Sequence, residues 1–187
     1  MRTKVYDLAH EVETTLKMVD EKAIDSVVTI LKEARNARIF VVGLGRSGLV
    51  AKCYAMRMMH LGYKTYVVGE VVTPAIGKGD VLLVVSGSGE TESLVCMVKK
   101  AAKIGAKIIL FTIFSKSSVS QYADQIVRIP ASTSKVEYSN ESIDSIQPMG
   151  NLFEQSVLLL LDYLVMCLMD FVGTNSKDMF TRHANLE

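Results

Sequence analysis

Tryptophan is absent from this 187-residue chain, and cysteine, histidine and proline occur only three times each. The cysteines, Cys53, Cys96 and Cys167, are odd in number, far apart and without CxxC or Cys/His spacing. That pattern excludes a disulfide framework or a zinc finger and predicts buried thiols in a reducing cytoplasm. Three scattered histidines leave no cluster for a metal ion. With 21 Lys+Arg against 20 Asp+Glu, the net charge of +1 gives no basic field to attract nucleic acid. The most apolar stretch, Val157 to Val172, falls short of the about 20 residues a spanning helix needs and contains Asp162 and Asp170. It predicts a buried helix and no membrane partner. Asp7, Glu11 and Glu13 follow Met1 too soon for a signal-peptide core.

What the chain does have is apolar residues, 49% of the total. Area scaling for this length predicts that about 70% of the unfolded surface is buried, which suits a single domain over 1–187. Residues 3–19 and 20–35 have helical spacing, with Asp20 as an N-cap between them. Short β-branched runs at 38–42, 65–68, 80–85, 107–113 and 125–129 then alternate with helical stretches. Strands apolar throughout imply a parallel sheet covered on both faces. The predicted fold is an α/β three-layer sandwich with a five-stranded parallel sheet, an N-terminal helical pair over 1–35, a core over 36–172 and a tail over 173–187. Residues 130–147 read as a long loop, Pro148 as the opening of the last helix and Gly173 as its close.

Two glycine loops follow strands. The first, Gly43-Leu44-Gly45-Arg46-Ser47-Gly48, fits the dinucleotide spacing GxGxxG, with Glu70 22 residues beyond Gly48. It also fits a plain tight turn. The second, Ser86-Gly87-Ser88-Gly89-Glu90-Thr91, opens the next helix with three hydroxyls. Those hydroxyls, with Ser47, could surround one phosphate at a helix N-terminus, or simply cap the helix. Such a cup asks for no cofactor and no metal.

Ser86-Gly-Ser-Gly-Glu-Thr91 resembles the phosphosugar loop of SIS (sugar isomerase) domains. Gly45-Arg-Ser-Gly-Leu49, Ala55-Met-Arg-Met58, Val68-Gly-Glu70, Gln147-Pro-Met-Gly150, Leu152-Phe-Glu-Gln155 and His183-Ala-Asn-Leu-Glu187 extend the likeness to 6-phospho-3-hexuloisomerases. Asn151 departs from it, standing where Ser or Thr is expected. The resemblance implies interconversion of D-arabino-3-hexulose 6-phosphate and D-fructose 6-phosphate in the ribulose monophosphate pathway, beside a hexulose-phosphate synthase. It also implies a homotetramer.

Moving a carbonyl between C2 and C3 needs a base, a stabilised enediol and a proton shuttle between two oxygens. Glu154, inside an otherwise apolar helix, fits the base, or alternatively complements the helix dipole. By resemblance, Glu154 matches the family's base and His183 its tail histidine, often supplied by a neighbouring subunit. Substrate-binding candidates are Gly45, Arg46, Ser47, Ser86, Gly87, Ser88 and Thr91, with Arg46 on the enediolate or the phosphate. His60 either touches substrate or caps helix carbonyls, and Arg57 reads as a solvated surface residue. A non-catalytic phosphosugar sensor is the rival reading, but only about 35 residues precede the first strand, with no basic recognition helix. The apolar surplus at Val157–Leu161, Leu164–Met169, Met56, Met58 and Met59 predicts subunit interfaces.

Overall fold

A computed structural model describes residues 4–132 and 145–186. Two amphipathic helices come first, α1 (Val5–Lys17) and α2 (Glu21–Glu33). The Asp20 side chain caps α2 by accepting from the Lys22 N–H at 3.0 Å. Five strands follow: β1 (Arg38–Gly43), β2 (Lys64–Val67), β3 (Val81–Val85), β4 (Lys107–Thr112) and β5 (Gln125–Arg128). Helix α3 (Gly45–His60) connects β1 to β2, and α4 (Glu92–Ile104) connects β3 to β4. The chain ends in α5 (Asn151–Val172) and a short α6 (Ser176–Phe180).

All pairings are parallel, in the order β2-β1-β3-β4-β5. Alternate residues feed opposite faces, as a period of two requires. Ile39, Val41, Leu83, Ile109 and Phe111 pack toward α2, α3 and α5, whereas Phe40, Val42, Leu82, Val84 and Leu110 pack toward α4. This is the predicted three-layer sandwich. Asp80 sits just before β3 and ties it to β1. Its buried carboxylate accepts from the Arg38 N–H (3.0 Å), Arg38 Nη2 (2.7 Å) and the Gly77 N–H (2.7 Å). Burial alone would raise this carboxyl, but the Arg38 pair and the backbone donors hold it below its ordinary value.

Some expectations need correction. Pro148 does not open the last helix. It lies in the preceding turn, where its carbonyl accepts from the Asn151 N–H at 3.1 Å. Gly173 closes the helix as expected, at φ +69°. Cys53 and Cys96 are exposed and Cys167 half-buried. Helical periodicity explains the first two: α3 buries Ala51, Tyr54, Ala55 and Met58, and α4 buries Leu94, Val98 and Ala101, so the cysteines fall outward. Most of the predicted loop, residues 133–144, lies outside the described residues.

By length and composition α5 could cross a membrane. Here it is a core helix, burying Leu152, Val157, Leu161, Leu164 and Leu168 against α1, α2 and α3. Much of the apolar surplus is therefore the chain's own core, Met58 included. Leu49, Met56, Met59, Leu159, Met166 and Phe171 remain exposed.

Strand order reverses direction between β1 and β3, which stand side by side with Gly43 in register with Val85. In open α/β sheets the crevice beyond the strand ends at this reversal is the ligand position. Both glycine loops start there. A Cβ on Gly48 would sit 2.7 Å from the Gly43 carbonyl oxygen, so part of the first glycine pattern serves close contact of α3 with β1.

Candidate active site

A cavity of about 490 Å³ occupies the crevice. Leu44–Ser47 line it from the first loop, and Ser86–Ser88 with Thr91 from the second. Pro148–Asn151, Phe153 and Glu154 line it from the start of α5. Three helices begin at this wall. Their N-caps are Leu44, Thr91 and Gly150, none of which uses its side chain to cap. First-turn N–H groups and three positive dipole ends thus converge on one volume, which favours an anion without a metal.

The hydroxyls combine two roles. Ser86 Oγ accepts from the Gly89 N–H at 3.2 Å, and Ser88 Oγ from the Glu90 N–H at 3.3 Å. Both side chains shape the loop while their own protons stay available to donate. Gly89 has φ +66°, and a Cβ there would collide with Ser117, so the turn demands glycine. Glu154 lies in the first turn of α5 with its side chain 13% exposed, against 62% for Arg46. Arg46 Nε donates to Glu154 Oε2, and Arg46 Nη2 donates to Asn151 Oδ1. A carboxylate and a guanidinium therefore share the cavity with the three helix N-termini.

The SIS domain family matches residues 30–159. Along the whole chain, the 3-hexulose-6-phosphate isomerase of Bacillus subtilis (strain 168) is 40% identical, with 100% of both chains covered. The chain belongs to the 3-hexulose-6-phosphate isomerase family of SIS-domain proteins. The enzyme of that name from Mycobacterium gastri is also 40% identical, over 95% of this chain and 86% of its own. A crystal structure of a Methanococcus jannaschii protein, from which 3-hexulose-6-phosphate isomerase function was inferred, superposes with a TM-score of 0.81. It is 34% identical and covers 96% of this chain and 97% of its own.

Within this SIS-domain chain, the structure brings together Glu154, Gly45, Arg46, Ser47, Ser86, Gly87, Ser88 and Thr91. It does not bring His60 or His183 to them. These two line a separate cleft of about 340 Å³ with Arg57, Asp162 and Met166. Their rings stack at 5.4 Å, and Phe180 stacks on His183 at 5.5 Å. The α3 carbonyl that needed a cap, that of His60, is met by Arg182 Nη1 at 3.1 Å. His183 is thus seated on α3 by aromatic packing, and the tail is folded around Met179. Glu70, the acid of the dinucleotide spacing, pairs instead with Lys52 at 2.7 Å and is absent from the cavity lining. Sequence reasoning missed Ile113, Met149 and Phe153 as lining residues. The Gln147-Pro-Met-Gly150 and Leu152-Phe-Glu-Gln155 motifs, which contain Met149 and Phe153, hinted at that wall.

Burial, with His183 and Arg57 nearby, holds the His60 imidazole below its ordinary value of 6.5. As pH falls, the unfolded chain takes up this proton before the folded one. The contribution to stability is therefore full above about pH 6.5 and lost as pH falls toward the lower folded value. Tm should drop between pH 7.5 and 5.5, and His60→Phe should flatten that limb. An unchanged limb in the variant would assign the effect to other groups.

Proposed function

We propose that this chain interconverts D-arabino-3-hexulose 6-phosphate and D-fructose 6-phosphate through an enediolate. The observation that carries the reading is the convergence of three uncapped helix N-termini beside one carboxylate. The phosphate occupies the cup of Ser47, Ser86, Ser88 and Thr91, which points the sugar toward Glu154. Glu154 takes the proton from C2 of the 3-ketose as the C3 carbonyl electrons move onto O3. The O2 proton then leaves, C2 becomes the carbonyl, and the proton returns at C3. The redox change is internal, so no oxidant or cofactor enters. Arg46, held on Glu154 and half in solvent, sets its positive charge beside the enediolate oxygen or the phosphate.

Moving a proton between O2 and O3 calls for a second group. We assign it to His183 of a neighbouring copy of the chain, since this exposed tail residue lies outside the cavity of its own chain. Exposed Met56 (54%), Leu49 (63%) and Met166 (62%) on α3 and α5 favour such an assembly, a tetramer by family resemblance. The free thiols are in keeping with the cytoplasm. A phosphosugar sensor is the rival, and an HTH-type transcriptional regulator of Haemophilus influenzae is 30% identical over 64% of this chain and 43% of its own. Sensing would use the cup but gives Glu154 no task.

Gel filtration with a coupled assay on each fraction tests both claims. Ribulose 5-phosphate, formaldehyde and a hexulose-phosphate synthase supply the substrate. Fructose 6-phosphate should form in the fraction of an oligomer. No product overturns the isomerase, and activity in a 20.6 kDa monomer overturns the shared site.

A further inference from the structure

Glu11 belongs to α1, far from the cup in sequence, yet it is wired to the base. Its Oε1 accepts from the Ile146 N–H at 2.9 Å, and its Oε2 from Ser145 Oγ at 2.9 Å and Gln147 Nε2 at 3.0 Å. Burial would raise this carboxyl, but those donors hold it below its ordinary value, keeping it an acceptor. Gln147, only 6% exposed, uses its Oε1 to accept from Asn151 Nδ2 at 2.7 Å. Asn151 Oδ1 accepts from Arg46, and Arg46 donates to Glu154. Four hydrogen bonds thus connect α1 to Glu154 through Gln147, Asn151 and Arg46.

The ends of this chain of bonds give it a direction. A carboxylate only accepts and a guanidinium only donates. Between them, each amide has one orientation that leaves no donor facing a donor: NH₂ toward Glu11, oxygen toward Arg46. Reversing either amide would turn an NH₂ group onto the next donor. Glu11 therefore sets Gln147, Gln147 sets Asn151, and Asn151 presents an oxygen that joins Glu154 in fixing one rotamer of a long arginine. Asn151 performs this role because an amide both accepts and donates along one line.

We propose that Glu11 and Gln147 are positioning residues for the isomerisation, holding Arg46 and through it the Glu154 carboxylate in reacting geometry. The proposal rests on the isomerase reading of the same cavity. Neither residue lines that cavity, so neither touches substrate.

Three proteins test it: Glu11→Gln, Gln147→Glu, and the double variant that exchanges the two. Glu11→Gln leaves one acceptor oxygen for three donors and turns an NH₂ group onto the Ile146 N–H or onto Gln147 Nε2, and Gln147→Glu sets two carboxylates face to face. The exchange restores one amide donating to one carboxylate, which still accepts from Asn151. Each single variant should lose kcat by about 10- to 100-fold with KM changed less than about threefold, because misplacement far from the chemistry acts on the reacting geometry. The exchange should recover kcat to within about threefold of wild type. Singles with lowered Tm but wild-type kcat would reduce Glu11 to a loop clamp and overturn the proposal. So would a folded exchange variant as slow as the singles. If one single fails to fold, the other single and the exchange carry the same comparison.

A second readout needs no turnover. The rate of phenylglyoxal modification at Arg46, followed by mass spectrometry, should rise in the singles and return to the wild-type rate in the exchange. That pattern in a chain without isomerase activity would remove the isomerase reading and keep the bonded chain. Equal rates in all four proteins overturn the chain itself.

Discussion

Glu154→Gln should fold, bind fructose 6-phosphate and turn it over about a thousandfold more slowly than wild type, within the range a general base contributes. The substitution keeps the volume of the side chain and an oxygen to accept from Arg46 Nε. What it removes is the ability to hold the carbon-derived proton during the enediolate's lifetime. Removing a negative charge beside the anion cup also favours phosphate, so the dissociation constant measured by calorimetry should stay level or fall. A kcat near wild type would exclude Glu154 from the proton transfer. A binding loss matching the rate loss would instead assign it to substrate contact.

Ser88→Asp should do the opposite. An aspartate at this position can still accept from the Glu90 N–H, as Ser88 Oγ does, so the turn and Tm are expected to survive. Its carboxylate, however, stands in the wall that three helix N-termini make attractive to an anion. Two like charges about 4 Å apart repel by about 4 kcal/mol at an effective dielectric near 20, which weakens phosphosugar affinity a hundredfold or more. Isothermal titration with fructose 6-phosphate measures it. Unchanged affinity would place the phosphate elsewhere in the cavity and leave Ser88 a turn residue. Together the two variants separate binding from chemistry in one site.

Much of this was legible along the chain. Continuous apolar runs and helical spacing fall within one or two residues of their strands and helices, and Asp20 and Gly173 take the capping positions expected of them. Helix propensity, capping and strand patterning act over a few residues, so local sequence carries them. The second glycine loop was legible for the same reason: Ser86 to Thr91 is continuous. The cysteines were misread because residue type says little about which side of a helix faces the sheet. Pro148 was misread because a proline suits a preceding turn as well as a first helical turn.

By itself, the sequence determined the α/β class, the two glycine loops and the residue types from which a phosphate cup and a base can be made. All of these depend on neighbours a few positions apart. The tertiary structure alone decided that three helix N-termini share one cavity: the strand reversal between β1 and β3 sets the starts of α3 and α4 side by side, and packing of α5 on α3 brings the third. It also decided that His183 packs on His60, away from Glu154, and that Glu11 reaches Gln147, 136 residues further on. Those relations depend on how a sheet with α1, α2, α3 and α5 on one face and α4 on the other closes in three dimensions, which no short stretch of chain records.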